Sequence, residues 1–382
     1  MKKKLFSVLG LILALTMVLA ACGPKEPAPA TPTTTGTPPA SQSPTDTGAP
    51  AEEEVELPGF HIGLMVYTNS GAWFDRIKAG VDALAKETGC TITLADGATP
   101  DEAVAAVENL CAAGVDGIVD LATGGVSARL LQICQEYGVY FVAANNNLIN
   151  EPGYEEFRKN PYYVGSVYAD DKAISYDIVK DYIAKGATKI ALFGLPPGIS
   201  AAFDSRFAGA YQALEEAGMQ PLTEARSFVM PEAAQNLLTQ YPDVEAIFSA
   251  VNASNYLVQP LISGGYGGKI MLSLFDDDGD VAAAFNQGVV THVVEGVNAQ
   301  AQFAFILLYN ALTGNTMTMS DGSKPDILMP YLLLTNADEY NAFLQRSEGG
   351  LYSWDELKGF IKLINPDASL DEMIKLAQSF SK

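Results

Sequence analysis

Phe60-His-Ile-Gly-Leu-Met-Val-Tyr67, followed by Thr68-Asn-Ser-Gly-Ala-Trp-Phe74, decides how the rest of the chain is read. The first run is short and apolar, with β-branched and aromatic residues, and turn residues follow it; this is the pattern of a buried strand. The second is a small-residue loop that ends in two aromatics. The spacing then changes, and Phe74, Ile77, Val81 and Leu84 fall on one face of a helix. Strand, loop and helix in that order put the loop at the carboxyl end of a strand, where open α/β sheets bind ligands. A Trp at that place can stack on a small molecule.

Outward from this stretch the alternation continues. Cys90–Asp96 reads as a second strand, and Thr99-Pro-Asp-Glu102 is a capping box that opens a helix over Pro100–Ala113. Asp116–Leu121 is a third strand, Val126–Tyr137 a helix capped by Gly138, and Val139–Ala144 a fourth strand running into Asn145-Asn-Asn147. Such alternation predicts a parallel, doubly wound sheet. After a loop with Pro152, Gly153 and Pro161 the pattern restarts, with strands predicted at Tyr162–Val167, Lys189–Gly194, Glu245–Ala250, Lys269–Phe275 and Val289–Glu295. Helices are predicted over Asp170–Lys185 and Phe203–Ala217. Asn298–Leu312 reads as a core helix, Ile327–Leu334 as one late strand, and Tyr340–Lys382 as a tail of two helices opened by Ser353-x-x-Glu356 and Ser369-x-x-Glu372. The expected architecture is therefore α/β, with two doubly wound parallel-sheet lobes in series and a C-terminal helical tail.

The amino-terminal segment has another purpose. Lys2-Lys-Lys4 is a positive region, Leu5–Leu19 an apolar one too short for a stable span, and Leu19-Ala-Ala-Cys22 follows. This resembles the lipobox of bacterial lipoproteins. The resemblance implies cleavage of residues 1–21, acylation of Cys22 and a lipid anchor on the outer face of the cell membrane. Residues 22–57 are then a disordered linker rich in Pro, Thr and Ser, with a mean reach of about 30–35 Å as coil. With 45 acidic against 23 basic residues, the net charge of −22 argues against nucleic acid as a partner. The four cysteines, Cys22, Cys90, Cys111 and Cys134, have neither zinc-site nor CxxC spacing. Cys111 and Cys134 fall on neighbouring predicted helices, as small buried hydrophobes or as a bridge.

Chemistry-bearing motifs are absent. The two histidines, His61 and His292, neighbour no nucleophile, and there is no GxSxG elbow, no P-loop and no dinucleotide fingerprint. Asp276-Asp-Asp-Gly-Asp280 misplaces its glycine for an EF-hand, so it is expected to be a solvated acidic turn apart from Asp276. No catalytic set, no cofactor and no metal are expected.

What remains is a series of polar and aromatic residues at strand ends. Trp73-Phe74, Ala113-Gly-Val-Asp-Gly-Ile-Val119, Tyr163-Val-Gly-Ser166, Ser205-Arg-Phe-Ala-Gly209, Leu274-Phe-Asp276 and Gly288-Val-Val-Thr-His-Val-Val-Glu295 occur in an order and spacing that resemble the type I periplasmic binding proteins of the ribose-binding kind. The resemblance implies a three-crossing hinge, near Tyr162–Ser166, Glu295–Asn298 and Pro325–Leu328. It divides the chain into a first lobe (58–162 with 297–326), a second lobe (163–296 with 327–340) and a tail (341–382). It also implies a ligand site. Trp73 and Phe74 match a stacking pair, Arg206 a hydrogen-bonding fork and Asp276 a carboxylate acceptor, and Glu295 stands where the family often has Gln. Asn69 and Asn252 are further candidates. Asn145 and Asn146 occupy the place where sugar-binding relatives often carry an Asp-Arg pair, so a charged clamp is lost there. Aromatics suit the C–H faces of a sugar, and charged or amide groups suit its hydroxyls. The function implied is a lipid-anchored extracellular receptor that captures a small polar ligand, a sugar or a nucleoside-like metabolite, for an ABC permease. A receptor that reports the same ligand to a signalling partner is the alternative.

Overall fold

The computed structural model describes residues 55–121, 125–146, 148–150, 153–279 and 281–379. The export segment, Cys22 and nearly all of the linker lie outside the described residues.

The first lobe is built as its hydrophobic pattern dictates. β1 (His61–Val66), α1 (Ala72–Thr88), β2 (Thr91–Asp96), α2 (Pro100–Ala112), β3 (Gly117–Asp120), α3 (Ser127–Tyr137) and β4 (Tyr140–Ala144) alternate along the chain. A short helix α4 (Tyr154–Phe157) precedes β5 (Tyr163–Ala169). The strands lie in the order β2-β1-β3-β4-β5 and are all parallel. Ile62, Leu64, Met65 and Val66 of β1 are fully buried, as a strand covered by helices on both faces requires. The capping box of α2 forms in full, with Thr99 accepting from the Glu102 amide and Glu102 accepting from the Thr99 amide.

The second lobe repeats the plan. α5 (Asp171–Ala184), β6 (Ile190–Gly194), α6 (Ala201–Glu216), β7 (Thr223–Arg226), α7 (Met230–Gln240) and β8 (Ala246–Ser249) come first. A π turn over Ser254–Val258, α8 (Gln259–Ser263), β9 (Met271–Phe275), α9 (Ala282–Asn286) and β10 (Val290–Glu295) complete it. Its parallel strands run β7-β6-β8-β9-β10. The edge strand β7 and α7 are absent from the sequence reading, because Thr223-Glu-Ala-Arg226 is polar and half-buried and carries no apolar run.

The chain then returns to the first lobe. α10 (Val297–Leu312) is buried almost all round and packs on β3, β4 and β5. The expected single strand Ile327–Leu334 is two strands in two sheets. β11 (Asp326–Met329) extends the first sheet parallel to β5, and β12 (Leu332–Leu334) extends the second antiparallel to β10. Pro330 has no N–H to donate, and it ends one ladder before the other begins. The first crossing also differs from expectation. β5 pairs with β4 as far as Val167 and with β11 as far as Ala169, both in the first sheet, so residues 163–169 belong to the first lobe and the chain leaves it after Ala169. β4 and β5 are neighbours in one sheet, so no domain break falls between them. The three crossings are thus Ala169–Asp171, Glu295–Val297 and Met329–Leu332.

The tail holds α11 (Ala337–Ser347), α12 (Trp354–Leu357) and α13 (Leu370–Ser379). Two buried amides of α10 fasten it. Gln302 Nε2 donates to the Tyr352 carbonyl at 2.8 Å, and the Tyr352 amide donates back at 2.9 Å. Asn310 does the same with the Phe360 carbonyl (2.8 Å) and the Lys362 amide (2.9 Å). These bonds explain polar residues on an otherwise apolar helix. α11, which the sequence reading did not separate from the tail, packs against both α9 and α1, one from each lobe.

Candidate functional site

A cavity of about 410 Å³ lies between the lobes at the carboxyl ends of both parallel sheets. Such a volume falls in the range of small-ligand sites. Another hollow, of about 310 Å³, sits between β7 and α7 and is lined by the second lobe alone.

The first-lobe wall starts where β1 ends. Tyr67 and Trp73 bracket the loop between β1 and α1, with ring centroids 4.8 Å apart and planes inclined by 45°. The loop turns at Gly71, whose φ of 92° disfavours a side chain and where a Cβ would collide with Asp278 of the other lobe. Asn145 and Asn146 follow β4 on the same wall. Asn145 has a φ of 55°, and its side-chain amide makes no hydrogen bond among the described residues.

Charge comes from the second lobe. Arg206, in α6, is only 4% exposed. Its Nε donates to Asp171 at 2.7 Å, Nη1 to the Ala250 carbonyl at 3.0 Å and Nη2 to the Tyr331 hydroxyl at 3.3 Å. The guanidinium lies 3.9 Å above the Phe275 ring. Burial works against its charge, but Asp171, Tyr331 and Asp276 hold it firmly cationic. Asp276 ends β9 with a φ of 56°. Desolvation raises its carboxyl to about 7, against the pull of Arg206 and Arg76. Its carboxylate makes no hydrogen bond among the described residues. Asn145 and Asp276 are the two residues other than glycine with positive φ among those described, and both line the cavity. Stored strain of this kind concentrates at functional sites. Asn252 also lines the cavity, its amide oxygen held by the Ser254 amide (3.1 Å) and hydroxyl (2.6 Å).

Three of the expected site residues stand elsewhere. Phe74 points into the first-lobe core, 5% exposed, because the face that includes Ile77 and Val81 claims it. Asn69 is exposed, donates to Asp96 at 2.9 Å and does not line the cavity. Glu295 is buried behind the cavity, where its Oε1 accepts from Arg76 at 3.0 Å. Arg76 reaches across from α1 and also contacts Asp277 at 3.4 Å. Burial pushes Glu295 well above the usual carboxylate range, with Arg76 opposing. The acidic turn is consequently not wholly solvated, since Asp277 is fully buried. The sequence reading passed over Tyr67, Phe203, Tyr256 and Asp278, which line the cavity as well. Tyr67 was within sight, as the last residue of the opening strand. Burial, followed by Asp276 and Asp278, raises its hydroxyl pKa. Among the described residues no group of three His, Cys, Asp or Glu is placed to hold a metal ion.

Two similar α/β lobes, three crossings and a cavity between the strand ends define a hinged, two-lobed solute-binding protein of type I topology. The sequence profile described as "Periplasmic binding protein domain" matches residues 62–316, two thirds of the chain, and the chain belongs to that family. Solved structures agree on the fold. A twin-arginine translocation pathway signal protein from Burkholderia phytofirmans superposes with a TM-score of 0.67 at 14% identity, over 79% of this chain and 97% of its own. An ABC transporter solute-binding protein from Agrobacterium vitis, bound with α-D-tagatopyranose, gives 0.63 at 17% identity, over 75% and 98%. One from Actinobacillus succinogenes with bound D-allose gives 0.62 at 18% identity, over 74% and 99%. Among curated proteins there is no match.

Proposed function

We propose that this protein is an exported, lipid-anchored receptor that captures a carbohydrate-like ligand between its lobes by hinge closure and hands it to an ABC permease. The observation that supports this most directly is the composition of the cavity. One wall supplies a Trp–Tyr pair and two adjacent asparagines, and the other supplies Arg206, Asn252 and Asp276. A ligand that touches both walls binds the closed form better than the open one, which is all that closure requires. Stacking on Trp73 with hydrogen bonds to Asn145, Arg206 and Asp276 needs no covalent step. The solved relatives with bound allose and tagatopyranose support a sugar-sized occupant. The Leu19-Ala-Ala-Cys22 segment supports export and anchoring.

Isothermal titration calorimetry against aldoses, ketoses, polyols and nucleosides tests the reading. At least one sugar is expected to bind with micromolar or better affinity, and Trp73→Ala should weaken it by about tenfold or more, the worth of an aromatic platform. Trp73 is 5% exposed, so the variant should also lose stability, and affinity must be read well below its Tm. A panel that leaves the protein silent would falsify the assignment.

A further inference from the structure

The following inference deepens the receptor reading and rests on it. The charges around the cavity do not balance. Arg206 is the sole basic residue among those described that line it, and that guanidinium is already engaged by Asp171 at 2.7 Å. The other nearby guanidinium, Arg76, is held by Glu295 and Asp277 outside the cavity wall. Asp276 and Asp278 face the cavity and neither forms an ion pair among the described residues, although Arg206 and Arg76 are near enough to pull on Asp276. Asp276 makes no side-chain hydrogen bond among the described residues, whereas Asp278 is held by the Ala72 amide at the start of α1 and by the Asn252 side chain, with Asn255 donating at 3.5 Å.

Closing such a cleft removes water from the Asp276 carboxylate, which has no hydrogen-bond partner of its own among the described residues. Desolvating a carboxylate without a partner is costly, so the occupant must offset it. An anion would add repulsion. A neutral polyol offers hydroxyl donors but no charge. An ammonium group offers a charge and three donors at once. The opposite wall suits it too, because the ring faces of Tyr67 and Trp73 are regions of negative potential that attract cations. A net charge of −22 draws cations toward the whole molecule.

We propose that the ligand is a protonated amine carried on a hydroxylated, sugar-sized body, and that Asp276, with Asp278 beside it, receives the ammonium group against the Trp73–Tyr67 wall. The asparagines opposite, Asn145 and Asn146, serve hydroxyls, for which amides are matched donors and acceptors.

The test is calorimetry on the full chain with matched trios of probes: glucosamine, galactosamine and mannosamine, each with its parent hexose and its N-acetyl derivative. An amino sugar is expected to bind at least tenfold more tightly than both neutral members of its trio. Asp276→Asn should abolish most of that preference. Asn suits the substitution because it tolerates a φ of 56° better than most residues. Asp278→Asn, at a more exposed position, should reduce the preference in a protein whose core is untouched. A parent hexose that binds as tightly as its amine overturns the ligand class and leaves the receptor reading standing. Silence from every member of the trios overturns the inference, and the receptor reading then stands or falls on the wider panel of aldoses, ketoses, polyols and nucleosides.

Discussion

Each lobe carries an arginine in the second turn of the helix that follows its first strand, and the two arginines have different tasks. Arg206 of α6 stays within the hinge region. It binds Asp171, which starts the chain segment after the first crossing, and Tyr331, which lies in the third. Its edge still reaches the cavity. Arg76 of α1 leaves its own lobe to bind Glu295 at the second crossing and Asp277 beside it, under the ring of Phe343 at 5.5 Å. It does not line the cavity. Arginines in the same turn of two corresponding helices thus grip all three crossings, but only one of them can also touch a ligand. Near-equal architecture does not divide the binding chemistry equally: the first lobe presents aromatics and amides, the second presents charge.

The comparison can be broken most severely at Arg206. Arg206→Ala leaves the half-buried Asp171 with the Tyr331 hydroxyl but no counter-charge, so it should cost about 3 kcal/mol or more in urea denaturation and eliminate measurable ligand binding in calorimetry. Arg76→Met is expected to cost somewhat less, roughly 3 kcal/mol, because burial raises Glu295 well above the usual carboxylate range and so eases its neutralisation, and the Met stem still covers Phe343. Without the guanidinium, ionised Glu295 is harder still to bury. The deficit should therefore be wider at pH 8 than at pH 5.

A smaller effect separates the two strand-end residues with positive φ. Asp276 titrates near 7 when folded, against an ordinary value of 3.8. Between these values the folded state holds a proton that the unfolded state has released, so this group's contribution to stability falls as pH rises through that window. His292, whose burial lowers it to about 4 from 6.5 despite a 3.1 Å contact with Asp181, acts in the opposite direction. The wild-type pH profile alone therefore misleads. The informative quantity is the difference between Asp276→Asn and wild type, expected to shift in the variant's favour by about 1–2 kcal/mol from pH 5 to pH 8, the site being partly open to water. Smallest of all, Asn145→Gly should raise stability by about 0.5 kcal/mol in thermal denaturation by relieving its backbone, while ligand affinity falls.

The strands were legible because buried parallel strands are near-continuous apolar runs, and Phe60–Tyr67 is such a run. Helix starts were legible where capping boxes stood, as at Thr99 and Ser353. What escaped was whatever depends on a partner far along the chain. Asp277 reads as one member of a solvated acidic run until Arg76, 201 positions earlier, is brought against it. Phe74 has the same signature as Trp73 in sequence, and only the direction of the helix face separates core from cavity. The two-sheet fate of Ile327–Leu334 was encoded in Pro330, but an apolar run on both sides of it read as continuous. Trp73, Asn145, Asn146, Arg206, Asn252 and Asp276 meet at one cavity because each follows a strand of one of two like sheets, a rule of position that a linear reading can apply.

The four hydrogen bonds that Gln302 and Asn310 make to the tail have a practical consequence for anyone dividing this chain. The family match stops at residue 316, yet α10 cannot satisfy those amides without residues 352–362. A reporter or purification module spliced in at the family boundary would leave both side chains buried without partners and strip an apolar helix of its cover. The smallest transferable receptor module is accordingly longer than the region shared with its relatives, and its natural seam for fusion is beyond α13.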